Sequence, residues 1–384
     1  LNARNPWSKR GSQTRWSEAL DDRDVDADVI CSHATKPMIS PDDRIVILLH
    51  ESVLGTQGKT GLAMLRYSEA DIVAVIDRAT AGLSIPELTG IPRDVPIVAS
   101  VAESLTYQPD VLVIGIALLG GVLPEDWYHD VQQAIAAGLS IVNGLHTPLN
   151  RDPTLQALLK PGQWIWDVRQ EPMNLTVGTG QARLLSCLRV LTVGTDMSVG
   201  KMSTSLELHH ASVKQGLRSQ FLASGQAGMM ISGSGVPLDA IRVDFAAGAV
   251  EQLVMQASDD RDILHLEGQG SLLHPSSTAT LPLLRGSQPT HLVLVHRAGQ
   301  THIRNAPHVQ IPPLSEVVSL YEAVATAAGA FAPARVAAIA LNTAHRSDEE
   351  AQQAIDQVQQ ETNLPCTDPV RFGAQLLLEA IWTS

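Results

Sequence analysis

From residue 44 onward the chain alternates continuous apolar runs with stretches of helical period. RIVILLH is apolar at successive positions, as expected of a strand covered on both faces of a parallel sheet. GTQGKTGLAMLRYS then predicts a loop and a helix, and DIVAVID a second strand ending at Asp77. VPIVAS, DVLVIGIAL and LSIVNGL predict further strands, with DWYHDVQQAIAAG as a helix before the last. Strands and helices in strict alternation predict a Rossmann-like open sheet. The pattern breaks up around RDPTLQALLKPGQWIWDVRQEP, which places a domain junction there.

A second alternation starts at LRVLTVG. The helix KMSTSLELHHASVKQG is expected to carry Met202, Leu206 and Val213 on one face and to stop at Gly216. SQFLASG, DILHLEG, HLVLVH and ARVAAIALN predict strands, and FAAGAVEQLVMQAS, SEVVSLYEAVATAAG and GAQLLLEAIW predict helices. A further helix, SDEEAQQAIDQVQQ, is opened by a Ser347…Glu350 capping box. The expected fold is therefore α/β. A Rossmann-like domain (43–180) precedes a parallel-sheet domain of the P-loop type (181–384), and residues 1–42, which lack either period, form an extension expected to be disordered.

Composition narrows the partners. A net charge of −13 argues against extended contact with nucleic acid or an anionic membrane. No apolar run approaches the ~18–20 residues of a membrane span. The three cysteines, Cys31, Cys187 and Cys366, show no C-x-x-C spacing, so a reducing, cytoplasmic setting is expected. A homo-oligomer is left open.

The strongest chemical signal is the segment VGTDMSVGKMS, Val193–Ser203. Gly194 and Gly200 let the backbone turn its N–H groups inward, and the following helix presents its positive end to an anion. Lys201 adds a mobile charge. Gly194, Thr195, Asp196, Gly200, Lys201, Met202 and Ser203 are the expected phosphate-binding residues. The spacing departs from G-x-x-x-x-G-K-[ST], and Met202 stands where a hydroxyl normally meets magnesium. Such a loop suits holding a diphosphate, as in coenzyme A, better than cleaving ATP.

GTDMSVGK, FLASG, EGQGSLLHP and LNTAHRS resemble, in order, the motifs of dethiobiotin synthetase. Over residues 43–384, GTDMSVGKMSTSLEL, LEGQGSLLHP, HRAGQTHIRNAP, IPPLSE and DPVRFGA resemble more closely the family containing D-glutamate N-acetyltransferase. That resemblance implies a Rossmann-like domain joined to a P-loop domain. It also implies acetyl transfer from acetyl-CoA, as co-substrate, to the amine of D-glutamate or related D-amino acids during their catabolism. The alternative, an ATP-dependent ligase like dethiobiotin synthetase, would need Mg-ATP. A third reading is a non-catalytic nucleotide- or CoA-binding protein.

The remaining candidates follow from position. Glu267 ends the strand DILHLEG and is read as the base that takes the amine's proton, as a metal holder, or as a carboxylate bonded only to its own loop. His302 is the second candidate base. Arg297 and Arg304, in HRAGQTHIRN, are expected to pair the substrate carboxylates, unless that stretch is a solvated loop. His296, His302 and His308 match no metal spacing, so no metal site is expected. Asn342 matches the adenine-contacting asparagine of the dethiobiotin synthetase pattern, or is a turn residue. In the first domain, Gly55, Gly58, Lys59, Thr60 and Asp77 resemble a dinucleotide site, with Asp77 placed for a ribose hydroxyl. They lack the full glycine fingerprint, so a part in an inter-domain substrate cleft and a plain turn both stay open.

Overall fold

The structure, a computed structural model, describes residues 39–55, 57–117 and 123–384. The expected extension lies outside the described residues, 39–42 excepted.

The first half runs β1 (Arg44–Leu48), α1 (Lys59–Tyr67), β2 (Asp71–Ile76), α2 (Ile85–Thr89), β3 (Ile97–Val98), α3 (Val101–Ser104), β4 (Val111–Ile114), α4 (Glu125–Ala137), β5 (Ser140–Asn143), α5 (Pro153–Leu158) and β6 (Ile165–Asp167). Among the described residues its sheet has the order β3-β2-β1-β4-β5-β6, all parallel. The order reverses between β1 and β4, and the crevice that ligands use in such sheets opens beyond their C-terminal ends. Ile45 to Leu49 are fully buried, which explains the unbroken apolar run. Each such side chain contributes about 1.5–3 kcal/mol. The stretch where the apolar pattern breaks up holds α5 and β6: a three-residue edge strand is too short to show a period.

The second half runs β7 (Leu188–Gly194), α6 (Lys201–Lys214), β8 (Ser219–Leu222), α7 (Gln226–Ser232), α8 (Val243–Ala257), β9 (Ile263–Leu266), α9 (Thr280–Ser287) and β10 (His291–Arg297). It continues with β11 (His302–Ile303), β12 (Ala306–Gln310), α10 (Leu314–Thr326), β13 (Arg335–Asn342), α11 (Asp348–Thr362), β14 (Cys366–Thr367), α12 (Pro369–Phe372) and α13 (Gln375–Thr383). Its sheet is parallel in the order β14-β13-β10-β7-β9-β8, so the strand leading into the glycine loop is central. HRAGQTHIRN, read as one loop, contains the first strand of the antiparallel hairpin β11–β12. The Ser347–Glu350 capping box opens α11 as expected. Among the described residues no helix is long and apolar enough to cross a membrane.

The halves share a core. Leu206, Phe221, Ala223, Met229 and Met230 from the second belong to the same buried cluster as the strands of the first, with Met202 packed against it. Tyr67 Oη donates to Glu207 Oε1 at 3.0 Å, joining α1 to α6. This double contact overturns the single apolar face expected for α6. Val213 is 53% exposed, while Lys201, Thr204, Ser205, Leu208 and Ser212 are buried. Gly216 does end the helix region, with φ of 80°.

Candidate active site

β7 delivers the chain to the phosphate loop at Gly194, and α6 begins at Lys201. Gly200, at φ 119°, takes a turn that side chains resist, and no side chain caps the helix. The main-chain N–H groups of residues 198–203 have no acceptor within the described chain. Six consecutive donors at a helix start form a ready site for a phosphate. Lys201 is buried; its Nζ donates to the Asp196 carbonyl oxygen at 2.8 Å. Burial lowers its pKa to about 8, against the opposing pull of Asp196 and Glu267. Gly194 leaves room for it, since a methyl there would lie 3.0 Å from Nζ.

Not every loop side chain faces an anion. Thr195 is fully buried, its hydroxyl 2.9 Å from His296 Nδ1 and its N–H on Val295 O. The Asp196 carboxylate accepts the N–H groups of Met197 (2.6 Å) and Arg304 (2.8 Å) and Gln300 Nε2 (2.6 Å). It braces the β11–β12 hairpin against the loop, and its charge would repel a phosphate, which corrects the phosphate-binding expectation. Met202 turns its side chain into the shared core. Met202 therefore offers a phosphate its amide alone.

Glu267 follows β9, whose Leu266 pairs with Leu191 of β7. Its Oε2 accepts the N–H groups of Ser224 (3.0 Å) and Gly225 (3.2 Å). FLASG and EGQGSLLHP thus meet at one carboxylate, a partnership that their separate reading missed. Burial pushes the Glu267 pKa up to about 7, while the two amides and Lys201 pull it down. A carboxyl poised there can exchange a proton at neutral pH. Ser224 Oγ and Gln269 Oε1, nearby in sequence, are buried without a hydrogen-bond partner.

The hairpin candidates separate. His302 is exposed, its ring on Thr301 Oγ1 at 3.0 Å, and no contact brings it to Glu267, so the structure does not support it as second base. His296, noted in the sequence only for metal spacing, is buried, and burial lowers its pKa to about 4, leaving a neutral ring behind the loop. Arg297 Nη2 donates to Ser198 O at 2.9 Å, and Arg297 lines a cavity of about 310 Å³ with Asn342, His345 and Arg346. Asn342 Nδ2 donates to Val199 O at 2.9 Å, bracing the loop from the cavity's wall. A second cavity of about 520 Å³ extends past His296, Gln300 and Arg346. Arg304 is exposed, and its main-chain N–H donates to Asp196 Oδ2. Arg297 and Arg304 therefore share no partner, contrary to their expected joint clamp.

In the first half, Asp77 is fully buried and accepts the N–H groups of Glu51 (2.8 Å), Ala79 (3.0 Å) and Val53 (3.3 Å). It shapes the loop after β1 and is not placed for a ribose hydroxyl. Gly55 and Gly58 serve close packing: a methyl would lie 2.8 Å from Glu51 O or 2.1 Å from Ser52 O. Lys59 is exposed at the start of α1, and Thr60 is buried with its Oγ1 unpartnered.

Comparison with known proteins agrees with this layout. A Rossmann-like domain described as a domain of unknown function, DUF1611_N, matches residues 78–171. The P-loop domain of the same description, DUF1611_C, matches residues 176–378. The chain is 39% identical over 272 residues to a protein named D-glutamate N-acetyltransferase from Tritonibacter scottomollicae, covering 70% of this chain and 80% of that one. A protein of the same name from Pseudoalteromonas sp is 37% identical over 282 residues, covering 73% and 83%. The crystal structure of a DUF1611 family protein from Anabaena variabilis is 64% identical, with TM-score 0.87 over 89% of this chain and 100% of that one. The chain belongs to the DUF1611 family, the Rossmann-like and P-loop pair that includes relatives named D-glutamate N-acetyltransferase.

Proposed function

We propose that the protein transfers the acetyl group of acetyl-CoA to the amine of D-glutamate or a related D-amino acid. The observation that carries this reading is the burial of Glu267 beside Lys201, next to six free amides. A diphosphate grip and a near-neutral base meet at one point. The acceptor is taken from the names of the relatives.

In this reading the amides of residues 198–203 and Lys201 hold the CoA diphosphate. The cavity lined by Arg297, Asn342, His345, Arg346 and Glu350 receives the adenosine end, its two guanidiniums, set against one carboxylate, suited to the 3′-phosphate. Arg297 is thereby moved from the substrate to the cofactor side. Glu267 takes a proton from the substrate ammonium, and the freed amine attacks the thioester carbonyl. A C–N bond forms, the C–S bond breaks, and the proton that the attacking nitrogen then sheds goes to the departing CoA thiolate. Met202 favours this over Mg-ATP chemistry, because a residue packed in the core stands where a magnesium-binding hydroxyl is usual.

The test is thiol release by the purified chain with acetyl-CoA and D-glutamate, with N-acetyl-D-glutamate identified by mass. L-glutamate and neutral D-amino acids serve as comparison. Release of phosphate from ATP, with no thiol release, would instead establish the ligase.

A further inference from the structure

We infer that the cavity of about 520 Å³ between the β11–β12 hairpin, the loop that follows it and α11 is the pocket for the adenine base of a bound nucleotide. The identity of that nucleotide as coenzyme A rests on the acetyl-transfer reading, but the pocket itself stands on geometry.

The sheet order sorts the two ends of the ligand. The phosphate loop follows β7. On one side of that strand lies β9, which delivers Glu267, and on the other lie β10 and β13. An arm that runs from the loop to Glu267 leaves in the β9 direction. The opposite end of the molecule is left the β10–β13 side, where both cavities open. The two cavities are continuous, since Ala298, Arg346 and Glu350 line both. The Arg346 guanidinium sits at their boundary, against the Gly299 turn, where a methyl would lie 2.5 Å from its Nη2.

Their linings differ in kind. Arg297, Asn342, Thr343, His345 and Arg346 give the smaller cavity a polar wall, fit for ribose and phosphate. The larger has an apolar floor of Ile311, Leu314, Leu341 and Val358, all buried, with Ala354 beside them. A flat base gains by leaving water for such a surface, and a phosphate loses. The larger volume also falls within the roughly 300–1,000 Å³ of small-molecule sites.

The walls are held before any ligand arrives. Ile311 N–H donates to Thr301 O at 2.9 Å, and Pro312 and Pro313 restrict the backbone that follows. Leu314 N–H donates to Glu361 Oε1 at 2.6 Å, which ties this loop to α11. Polar groups in the pocket are unspent. His296 is 7% exposed, with Nδ1 2.9 Å from Thr195 Oγ1, and its Nε2 has no partner among the described residues. The side-chain amides of Gln353 and Gln357, one turn apart on α11, make no hydrogen bond among the described residues. A carboxamide presents a donor and an acceptor side by side, the pattern that pairs with the amino group and adjacent ring nitrogen of adenine.

The experiment fills the pocket with Ala354→Phe in the full chain, and urea unfolding checks that the fold persists. The KM for acetyl-CoA should rise roughly 10- to 100-fold, the worth of burying one such group. S-acetyl-4′-phosphopantetheine keeps the thioester but lacks the adenosine, so its KM should match that of wild type. Gln353→Leu with Gln357→Leu changes two exposed positions and decides the matter if Ala354→Phe does not fold. Each amide that pairs with the base should add about 2- to 10-fold to the KM for acetyl-CoA. Adenosine 3′,5′-bisphosphate, the nucleotide end without a thioester, is titrated calorimetrically in parallel. If wild type does not acetylate D-glutamate but binds the bisphosphate in an Ala354-dependent way, the proposed reaction falls and the pocket stands. Unchanged affinity for the bisphosphate in the folded variants overturns the pocket. So do equal losses for the two thioesters, which would seat the pantetheine arm there, and so does failure of wild type to bind the bisphosphate.

Discussion

Lys201 and Glu267 are buried together at the ends of neighbouring elements, and each is shifted toward its neutral form. Burial brings the ammonium down to about 8 and the carboxyl up to about 7. Their mutual attraction opposes both shifts without cancelling either. For acetyl transfer Glu267 must be ionised and Lys201 protonated. We therefore expect kcat/KM for acetyl-CoA to rise as pH increases through the lower value and to fall through the higher. The two apparent values belong to the pair as a unit. Bound phosphate should hold Lys201 protonated, so kcat at saturating thioester should keep only the acidic limb. Initial rates from about pH 5 to about pH 10 decide it, and a kcat profile flat through neutrality removes Glu267 as the base.

Gly228 tests the placement of that carboxylate. A methyl there would lie 2.4 Å from Glu267 Oε2 and 2.9 Å from the Ala223 side chain. Gly228→Ala should swing Glu267 off its two amides and lower kcat about 100-fold, within the range for misplacing a base. Stability should fall by about 1–3 kcal/mol from overpacking. The KM for acetyl-CoA should move little. A fall in stability with kcat intact would show that the carboxylate's position is immaterial to the reaction.

Arg346 tests which nucleotide the outer cavity selects. It lines both cavities, and a methyl on Gly299 would lie 2.5 Å from its Nη2. Arg346→Ala should raise the KM for acetyl-CoA roughly tenfold and leave that for 3′-dephospho-acetyl-CoA unchanged. Equal losses for the two thioesters would place the 3′-phosphate elsewhere.

The buried strands and the glycine loop were legible because each depends on local pattern: β1 and β7 are apolar on both faces, and the Gly200–Lys201 step belongs to one short segment. What escaped depends on distant residues. Nothing near Ser224 announces that its amide will hold Glu267, 43 residues on. Asp196 looked like a phosphate ligand until the hairpin's Gln300 and Arg304 closed on it. Asp77 sits where a ribose-binding acid would, yet the loop after β1 folds back over it. Met202 departs from the magnesium-loop pattern for a packing reason that lies outside its own segment: it helps to join the two halves.

Acid should loosen the second half through its buried histidines. Burial lowers the pKa of His265 to about 3 and those of His209 and His296 to about 4. The unfolded chain, with ordinary histidines, binds more protons than the native one below about pH 6.5. Their contribution to stability is therefore complete above that pH and is lost as pH falls toward the folded values. Each histidine adds up to about 1.4 kcal/mol per pH unit across that window. Glu267 acts in the opposite sense, since its raised pKa favours the native state as pH falls below 7. A single variant isolates the histidine term. His265 is fully buried, with Nε2 2.8 Å from Ser212 Oγ and Nδ1 unpartnered. Urea unfolding of His265→Gln between about pH 7 and about pH 4 should show a shallower loss than wild type. Parallel curves would mean that His265 takes up its proton as readily in the native state as in the unfolded one, against the expected effect of its burial.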